Sequence, residues 1–578
     1  MIPNLSKAFK TKALPFDTAD AKRSRESGVA VSHSKVGTGM FLCSCLVIFG
    51  MLLAACGGGS TSTQPSSSTG AKSTVLTVNT SITGTYTRTF SPFGTNPNPG
   101  ARGLVYETLL YFNAINGNVT PWLASSYKFS DDAKSLTFTL RQGVKWSDGQ
   151  AFSSDDVLFT LNMIKQYPAA DANGLWTYID SVTAPDANTV TLTLKQPYTP
   201  IVWRVGGQTY IVSKHLWSSV GDPTKYADAN PVGTGPYLVN QFSPQLVDYK
   251  KNPNYWQPGK PAVTEVKYPA FNSNTNSELL MDQGQFDWSG IFTPNIEKTF
   301  VSRDPAHYHY WFPSAAPVML YLNLTKAPFN QLPVRQAISS ALDRQKMYQV
   351  AESGYEPVAS PTGLVLPNNS AYLDPQYSNT TFTQDTAKAK QLIQSATGVS
   401  GKTFNLNVVT GWTDWVTICQ IVAANLKDLG MNVTVNPISY DSYVADLQNG
   451  NFDMAISWTN PGPTPYYLFD TLLNSKYTAA VGQKANSNWQ RWKDAETDQL
   501  LNQYATSTDQ TKQKQAIYGL EKIMVDSLPS IPLVYGATWY EYTTTHFTGW
   551  PDKDNPYATP SPYTYPDAEV VILNLKPV

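Results

Sequence analysis

Aromatic rings set in short polar loops are the most chemically suggestive feature of this 578-residue chain. Trp412 and Trp415 stand in TGWTDW, Trp458, Asn460, Tyr466 and Tyr467 in SWTNPGPTPYYLF, and Trp288 in FDWSG. A flat ring gives up its hydration cheaply and stacks on sugar or side-chain faces, and a Tyr hydroxyl or Trp N–H keeps a polar handle. The totals, 15 Trp and 33 Tyr, exceed what core packing needs. In each stretch a strand is expected to end in a loop of small and polar residues, where the lobes of α/β proteins meet ligands. These seven residues are the candidate ligand contacts, and burial in a core is the competing use of each ring.

Bond-making chemistry has little to stand on. Asp155 and Asp156 could be imagined as an acid and base, but neighbours on one helix do not face each other across a substrate, and Asp155 reads as a helix cap. No Gly-x-Ser-x-Gly elbow, His-Glu-x-x-His helix or phosphate-cradling glycine loop is present. A secreted hydrolase is therefore the weak rival, and neither a catalytic residue nor a cofactor is expected. His307 and His309 would share a strand face but lack a third ligand, so no metal site is assigned. Cys419, alone in the body, reads as a small buried hydrophobe, and no disulfide framework can form there.

A chain of this length exceeds what one core can serve, so at least two lobes are required. With 41% apolar, 12% aromatic and 15% charged residues it is an ordered globular protein. The net charge is −1, and no Lys/Arg cluster supplies the basic surface that nucleic acid binding needs. SLTFTLRQGVKW at 135–146 alternates like a strand pair turning at Gln142-Gly143, TVTLTL at 189–194 is a second strand, and Ser153 to Asp156 cap a helix running through VLFTLNMI. Helical spacing covers 334–351, and 416–430 reads as a helix closed by Gly430 and followed by a strand. The repeated helix, glycine, strand rhythm indicates mixed α/β lobes.

The opening is of another kind. The run from Met40 to Ala55 carries no charge and is shorter than the roughly 20 residues that span a bilayer. It ends in Leu53-Ala54-Ala55-Cys56, which resembles the lipobox of bacterial lipoproteins, where the cysteine thiol receives the lipid. Residues 57–74, GGGSTSTQPSSSTGAKST, have the composition of a flexible tether. The expected organisation is a tail and signal over 1–55, lipidation at Cys56 within a tether over 56–74, and an extracytoplasmic body held at the membrane surface. Residues 1–39 are longer than a signal's basic region requires.

Seven blocks in the body carry a resemblance. SLTFTLRQGVKWSDGQAFSSDDVLFTL (135–161), PVGTGPYLV (231–239), YKKNPNYWQPGKP (249–261), PFNQLPVRQAISSALDRQKM (328–347), LKDLGMNVTV (426–435), NGNFDMAISW (449–458) and LPSIPL (528–533) resemble, in this order, the family 5 extracellular solute-binding proteins of ABC importers. The resemblance implies an α/β, two-lobed periplasmic-binding-protein-like fold of class II type, with mixed sheets flanked by helices and a hinge. By analogy, lobe I takes 75–310 with an extra subdomain at about 105–230, lobe II takes 311–529, and 530–578 returns to lobe I. Gly233 to Tyr237 is expected to be a tight turn that uses glycine's backbone freedom, and Arg335, Asp343 and Arg344 to cap and solvate their helix.

The implied function is capture of an oligopeptide-sized solute, delivered by a monomeric receptor to ABC permease and ATPase subunits. One departure matters. Peptide receptors of the family often carry an aspartate shortly after the tryptophan matching Trp458, to pair with a peptide amine, and here Trp458 to Pro465 contains no carboxylate. Asp414 or Asp287 could supply one from elsewhere; otherwise an oligosaccharide of cello- or xylo-type is the rival cargo.

Overall fold

Residues 74–578 are described by a computed structural model, apart from 81–84, 95, 272, 273, 395 and 400; the tail, the apolar run, Cys56 and the tether through residue 73 lie outside the described residues. Among the described residues no helix is long and apolar enough to cross a membrane.

Alternating apolar residues build three main sheets. A seven-stranded sheet carries, in order, Tyr308–Tyr310, Glu541–Thr543, Trp288–Ser289, Val75–Asn79, Glu265–Pro269, Leu246–Lys251 and Tyr237–Ser243. Val75–Asn79 lies at its centre, parallel to Glu265–Pro269 and to Trp288–Ser289. A five-stranded sheet carries Asn432–Ile438, Thr403–Val409, Met454–Ser457, Ser314–Leu322 and Ile531–Ala537. Its parallel half is joined by helix Thr413–Lys427, the crossover that parallel strands need. A four-stranded antiparallel sheet, Ala124–Phe129, Ser135–Leu140, Thr189–Leu194 and Ile179–Asp186, forms the subdomain.

The chain passes from the seven-stranded to the five-stranded sheet at 311–313 and returns at 538–540. The return comes one strand later than the expected boundary at 530. Ile531–Ala537 pairs with Ser314–Leu322, with Val318 opposite Val534, so it belongs to the second lobe's sheet.

Local signals held where their hydrogen bonds are local. Helix Ser154–Gln166 starts at a capping box, in which Ser153 receives a backbone N–H and Asp156 reaches back to the Ser153 N–H. Asp155, the expected cap, instead pairs with Lys214 at 2.8 Å. Thr413–Lys427 ends just before Gly430, whose φ of +77° lets the chain turn into Asn432–Ile438. Of the strand pair expected at 135–146, only Ser135–Leu140 is a strand.

Three expectations are corrected by distant contacts. The helix expected at 334–351 stops at Ala341, because Leu342 is extended and Asp343 caps a new turn through the Lys346 N–H. Arg335 and Arg344 do not solvate it. Both are buried and donate to carbonyls, Arg335 to Ser527 and Arg344 to Pro532, fastening the helix beside the last strand of its sheet. Gly233 and Gly235 have no positive φ; their need is room. A Cβ at Gly233 would stand 1.8 Å from the Val105 carbonyl oxygen, and one at Gly235 2.4 Å from that of Leu104.

The backbone at 104–105 leads into Glu107, where several segments of the sequence meet. Glu107 is fully buried and accepts from Trp122 Nε1 at 2.7 Å, the Tyr255 hydroxyl at 3.1 Å and Trp256 Nε1 at 3.1 Å. Burial pushes Glu107 up to about 7. Burial, and then the Glu107 charge, raise the neighbouring Glu569 well above its ordinary value.

A second carboxyl pair sits beside the return crossing. Glu356 accepts from the Ala537 N–H at 2.6 Å, and Glu352 lies against it with no hydrogen-bond partner of ordinary geometry. Burial first, then neighbouring acids, raise Glu352 to about 11; burial and the Asp414 charge raise Glu356 to about 8. A carboxyl whose pKa is raised by folding stabilises the protein below its ordinary value of 4.5 and loses that contribution as pH rises toward its folded value. Melting temperature should therefore fall between about pH 5 and pH 8, and Glu356→Gln, neutral at both, should flatten that slope; an unchanged slope would mean the pair titrates normally. Gly233→Ala should cost about 3 kcal/mol or more in a urea titration, since the obstacle is main chain and cannot swing away.

Candidate functional site

The loop that follows strand Met454–Ser457 is rich in residues that cannot donate from the backbone. Pro461, Pro463 and Pro465 lack an N–H, and Pro465 opens helix Pro465–Leu473 at its first turn, where that loss is harmless. Gly462 between them lies against Tyr467, with a Cβ there only 2.6 Å from the Tyr467 Cβ. The result is a stiff wall, Asn460 to Pro463, held on the Tyr467 side chain.

This wall faces helix Ile201–Gly206 and the segment 171–174 of the subdomain, and residues 564–567 of the C-terminal part. Together they enclose a cleft of about 530 Å³. A second cavity, of about 830 Å³, shares Asp171 to Asn173, Gln208, Thr564 and Tyr565 with it and extends past Arg102 and Tyr210. The two form one elongated site between the subdomain, the C-terminal segment and the second lobe.

The cleft is apolar on its ring faces and amide-rich between them. Trp203 packs on Tyr467 with ring centres 4.4 Å apart, and Phe112 stands nearby. Asn173, Gln208, Asn460 and Asn486 also line it, and Asn460 and Asn486 make no side-chain hydrogen bond among the described residues.

Its three charged side chains are already engaged. Asp171 accepts from the Leu175 and Trp176 N–H groups at 2.7 and 3.0 Å. Asp567 accepts from the Tyr111 hydroxyl at 2.9 Å and the Thr559 N–H at 2.8 Å, and burial raises it to about 6. Arg204 donates to Asp470 at 2.7 Å, to the Tyr198 and Tyr477 hydroxyls at 3.1 Å each, and to the Asn173 carbonyl at 2.8 Å. The Asp470 side chain is 0% exposed, so this is a buried ion pair. It joins the subdomain to the helix behind the Asn460–Pro463 wall.

The residues singled out from sequence divide. Asn460 and Tyr467 line the cleft. Tyr466 lies behind the wall, stacked on Tyr504 at 4.6 Å. Trp458 stands next to Asn460 and is the centre of a ring cluster with Trp412, Trp415, Tyr440, Tyr443 and Trp489, all within 6.4 Å of it. In that cluster Trp412 is 36% exposed, whereas Trp415 packs into the second lobe's core. Trp288 is 0% exposed in the first lobe, where it donates to the Pro560 carbonyl at 2.9 Å and packs edge-on against Trp550. Asp287 is occupied by the Thr77 N–H and by His546, and Asp414 is a neighbour of the Glu352 and Glu356 pair. Cys419 is buried. His307 pairs with Asp304 and His309 packs on Tyr542; among the described residues no group of three or more His, Cys, Asp or Glu is placed to hold a metal ion.

Sequence reasoning missed the subdomain's share: Trp203, Arg204, Gln208 and Asn173. A signal was present in WRVGGQ. Its double glycine marks a close approach, and a Cβ at Gly207 would fall 2.6 Å from the Phe112 ring.

The fold has well-covered relatives. The mannohexaose-bound periplasmic oligopeptide-binding protein of Thermotoga maritima matches with a TM-score of 0.78 and 24% identity, covering 88% of this chain and 99% of that one. The Helicobacter pylori periplasmic binding protein DppA, in complex with the peptide STSA, matches with a TM-score of 0.72 and 21% identity, covering 87% and 98%. At these identities the likeness establishes the two-lobed fold. In sequence, the peptide transport periplasmic protein SapA of Salmonella typhimurium is 24% identical over 474 residues, 76% of this chain and 84% of the relative. The nickel-binding periplasmic protein of Escherichia coli is 26% identical over 389 residues, covering 64% and 72%. The family model "Bacterial extracellular solute-binding proteins, family 5 Middle" matches residues 118–479, more than half of the chain, and the chain therefore belongs to the family 5 bacterial extracellular solute-binding proteins.

Proposed function

We propose that this solute-binding protein is the receptor of an ABC importer and that its cargo is an uncharged, hydroxyl-rich oligomer of the oligosaccharide class. The observation that carries the choice is electrostatic. Arg204 is neutralised by Asp470, Asp567 and Asp171 are taken up by internal donors, and Arg102 in the adjoining cavity, which has no ion-pair partner among the described residues, donates to the Pro92 carbonyl, so charged peptide termini find few free counter-charges. Trp203, Tyr467, Phe112 and the unbonded amides of Asn460 and Asn486 instead offer ring faces and neutral donors and acceptors, which suit sugar rings and hydroxyls. Two adjoining cavities suit an oligomer, and the Thermotoga relative's complex with mannohexaose points the same way. A peptide cargo is the second reading, favoured by the peptide-binding names of other relatives.

In this reading the receptor acts as a single copy, without chemistry. Solute binds between open lobes, closure buries it, and the closed form docks on permease and ATPase subunits. Lipidation at Cys56 would hold the receptor outside the membrane, with residues 57–74 as its tether. The Arg204–Asp470 pair is a latch for closure, because separating the subdomain from the second lobe's helix would break the ion pair, a loss that hydration of the two charges offsets only in part.

Calorimetry with cello-, xylo-, malto- and manno-oligosaccharides should give saturable binding, with di- to pentapeptides inert; tight peptide binding with inert sugars would reverse the assignment. Asp470→Asn should leave Arg204 buried without its counter-charge. The expected result is a loss of about 3–5 kcal/mol, or a larger radius of gyration in solution scattering as the lobes part, and a variant unchanged in both would remove the latch.

A further inference from the structure

Beside Asn460 lies a small cavity of about 10 Å³, room for a single water-sized oxygen. It shares Asn460, Thr471 and Ser487 with the main cleft, so these three residues separate the two spaces. Trp489, 8% exposed, is one of its lining residues, and the Trp489 indole N–H is buried with no hydrogen-bond partner among the described residues.

The other polar groups around it are largely spoken for. Thr459 donates to the Pro317 carbonyl at 2.9 Å, Tyr321 to the Trp458 carbonyl at 3.0 Å, and Thr471 to the Tyr467 carbonyl at 3.1 Å. Asn488 donates to the Asn474 and Trp492 carbonyls. Packing does not require a nitrogen at this place. Trp489 meets Trp458 edge-on at 6.1 Å and Tyr321 at 5.6 Å, contacts that a phenyl ring could make. A buried donor without an acceptor costs about 1–3 kcal/mol, and an indole N–H can only donate.

We propose that Trp489 is a specificity-determining donor, whose N–H donates to an oxygen of the bound solute either directly or through one bridging water. The required partner is a neutral oxygen acceptor, since no charged group lines the small cavity. This rests on the reading of the cleft as a solute site and adds to it a hydroxyl-sensing position at its inner end. Selectivity follows from geometry: a solute able to place an oxygen beside Asn460 completes the Trp489 hydrogen bond, and one that presents a methylene there leaves it unmade.

The test compares the full-length protein with Trp489→Phe, which keeps the ring and removes the donor. Calorimetry with the cello-, xylo-, malto- and manno-oligosaccharides should show roughly three- to tenfold weaker binding for the variant, with the melting temperature within a few degrees of the parent. Equal affinity overturns the inference while leaving the solute assignment intact. If the parent binds only peptides, the assignment of cargo fails, and the same affinity ratio measured with the bound peptide decides the role of Trp489.

Nitrogen-15 indole spectra of the parent protein provide a measurement that does not depend on the variant's folding. The Trp489 resonance should shift on adding solute, and an unmoved resonance also overturns the proposal. In the complex, loss of its cross-peak to water identifies direct contact, and retention of that cross-peak together with the shift identifies the bridging water.

Discussion

The buried Glu107–Glu569 pair is the constraint on which the first lobe and the cleft rest. A carboxylate taken out of water costs several kcal/mol unless donors replace its hydration. Glu107 finds them in Trp122, Tyr255 and Trp256, and Glu569 faces it from the C-terminal helix Asp567–Asn574. Four stretches far apart in sequence are thereby drawn to one point. The approach is so close that Gly233 and Gly235 must run directly over the 104–105 main chain. Residues 564–566 and Asp567, where the C-terminal helix begins, then become a wall of the candidate cleft. The polar centre thus positions the cleft wall through the C-terminal segment.

The cleft handles charge by internal pairing. Arg204 makes an ion pair with Asp470 and hydrogen bonds to two tyrosines and a carbonyl, so four of its five guanidinium N–H donors are used within the protein. Such a pair contributes little net stability compared with an apolar substitute, because both ions are desolvated. Its value lies in geometry, since it forms only when the subdomain and the second lobe's helix are together. What the cleft leaves without internal partners is mainly a set of rings and amides, with Arg102 lining the adjoining cavity.

How much of this was legible from residues depends on how far apart the interacting groups are. The capping box at Ser153 and Asp156 and the Gly430 stop close within a few residues, and the alternation at 189–194 shows directly in side-chain burial. The break after Ala341 was hidden. Helical spacing continues through it, and it is the buried Arg344, reaching the Pro532 carbonyl 188 residues away, that fixes the second turn. The glycines of GTGPY were recognised as required but for another reason, because crowding by Val105 cannot be seen within the motif itself. Trp288 looked the same in sequence as a cleft ring and lies in the first lobe's core.

By itself the sequence determined the local stops and starts, the ordered blocks that mark the family, and the absence of a carboxylate after Trp458. These are properties of neighbouring residues or of pattern. Tertiary structure alone decided that Ile531–Ala537 belongs to the second lobe, that Asn460 and Tyr467 face the cleft while Tyr466 turns behind it, and that Arg204 meets Asp470 across 266 positions. The physical reason is that ring and charge environments depend on what packs against them. In a two-lobed chain that crosses between its sheets at 311–313 and again at 538–540, those partners come from remote segments.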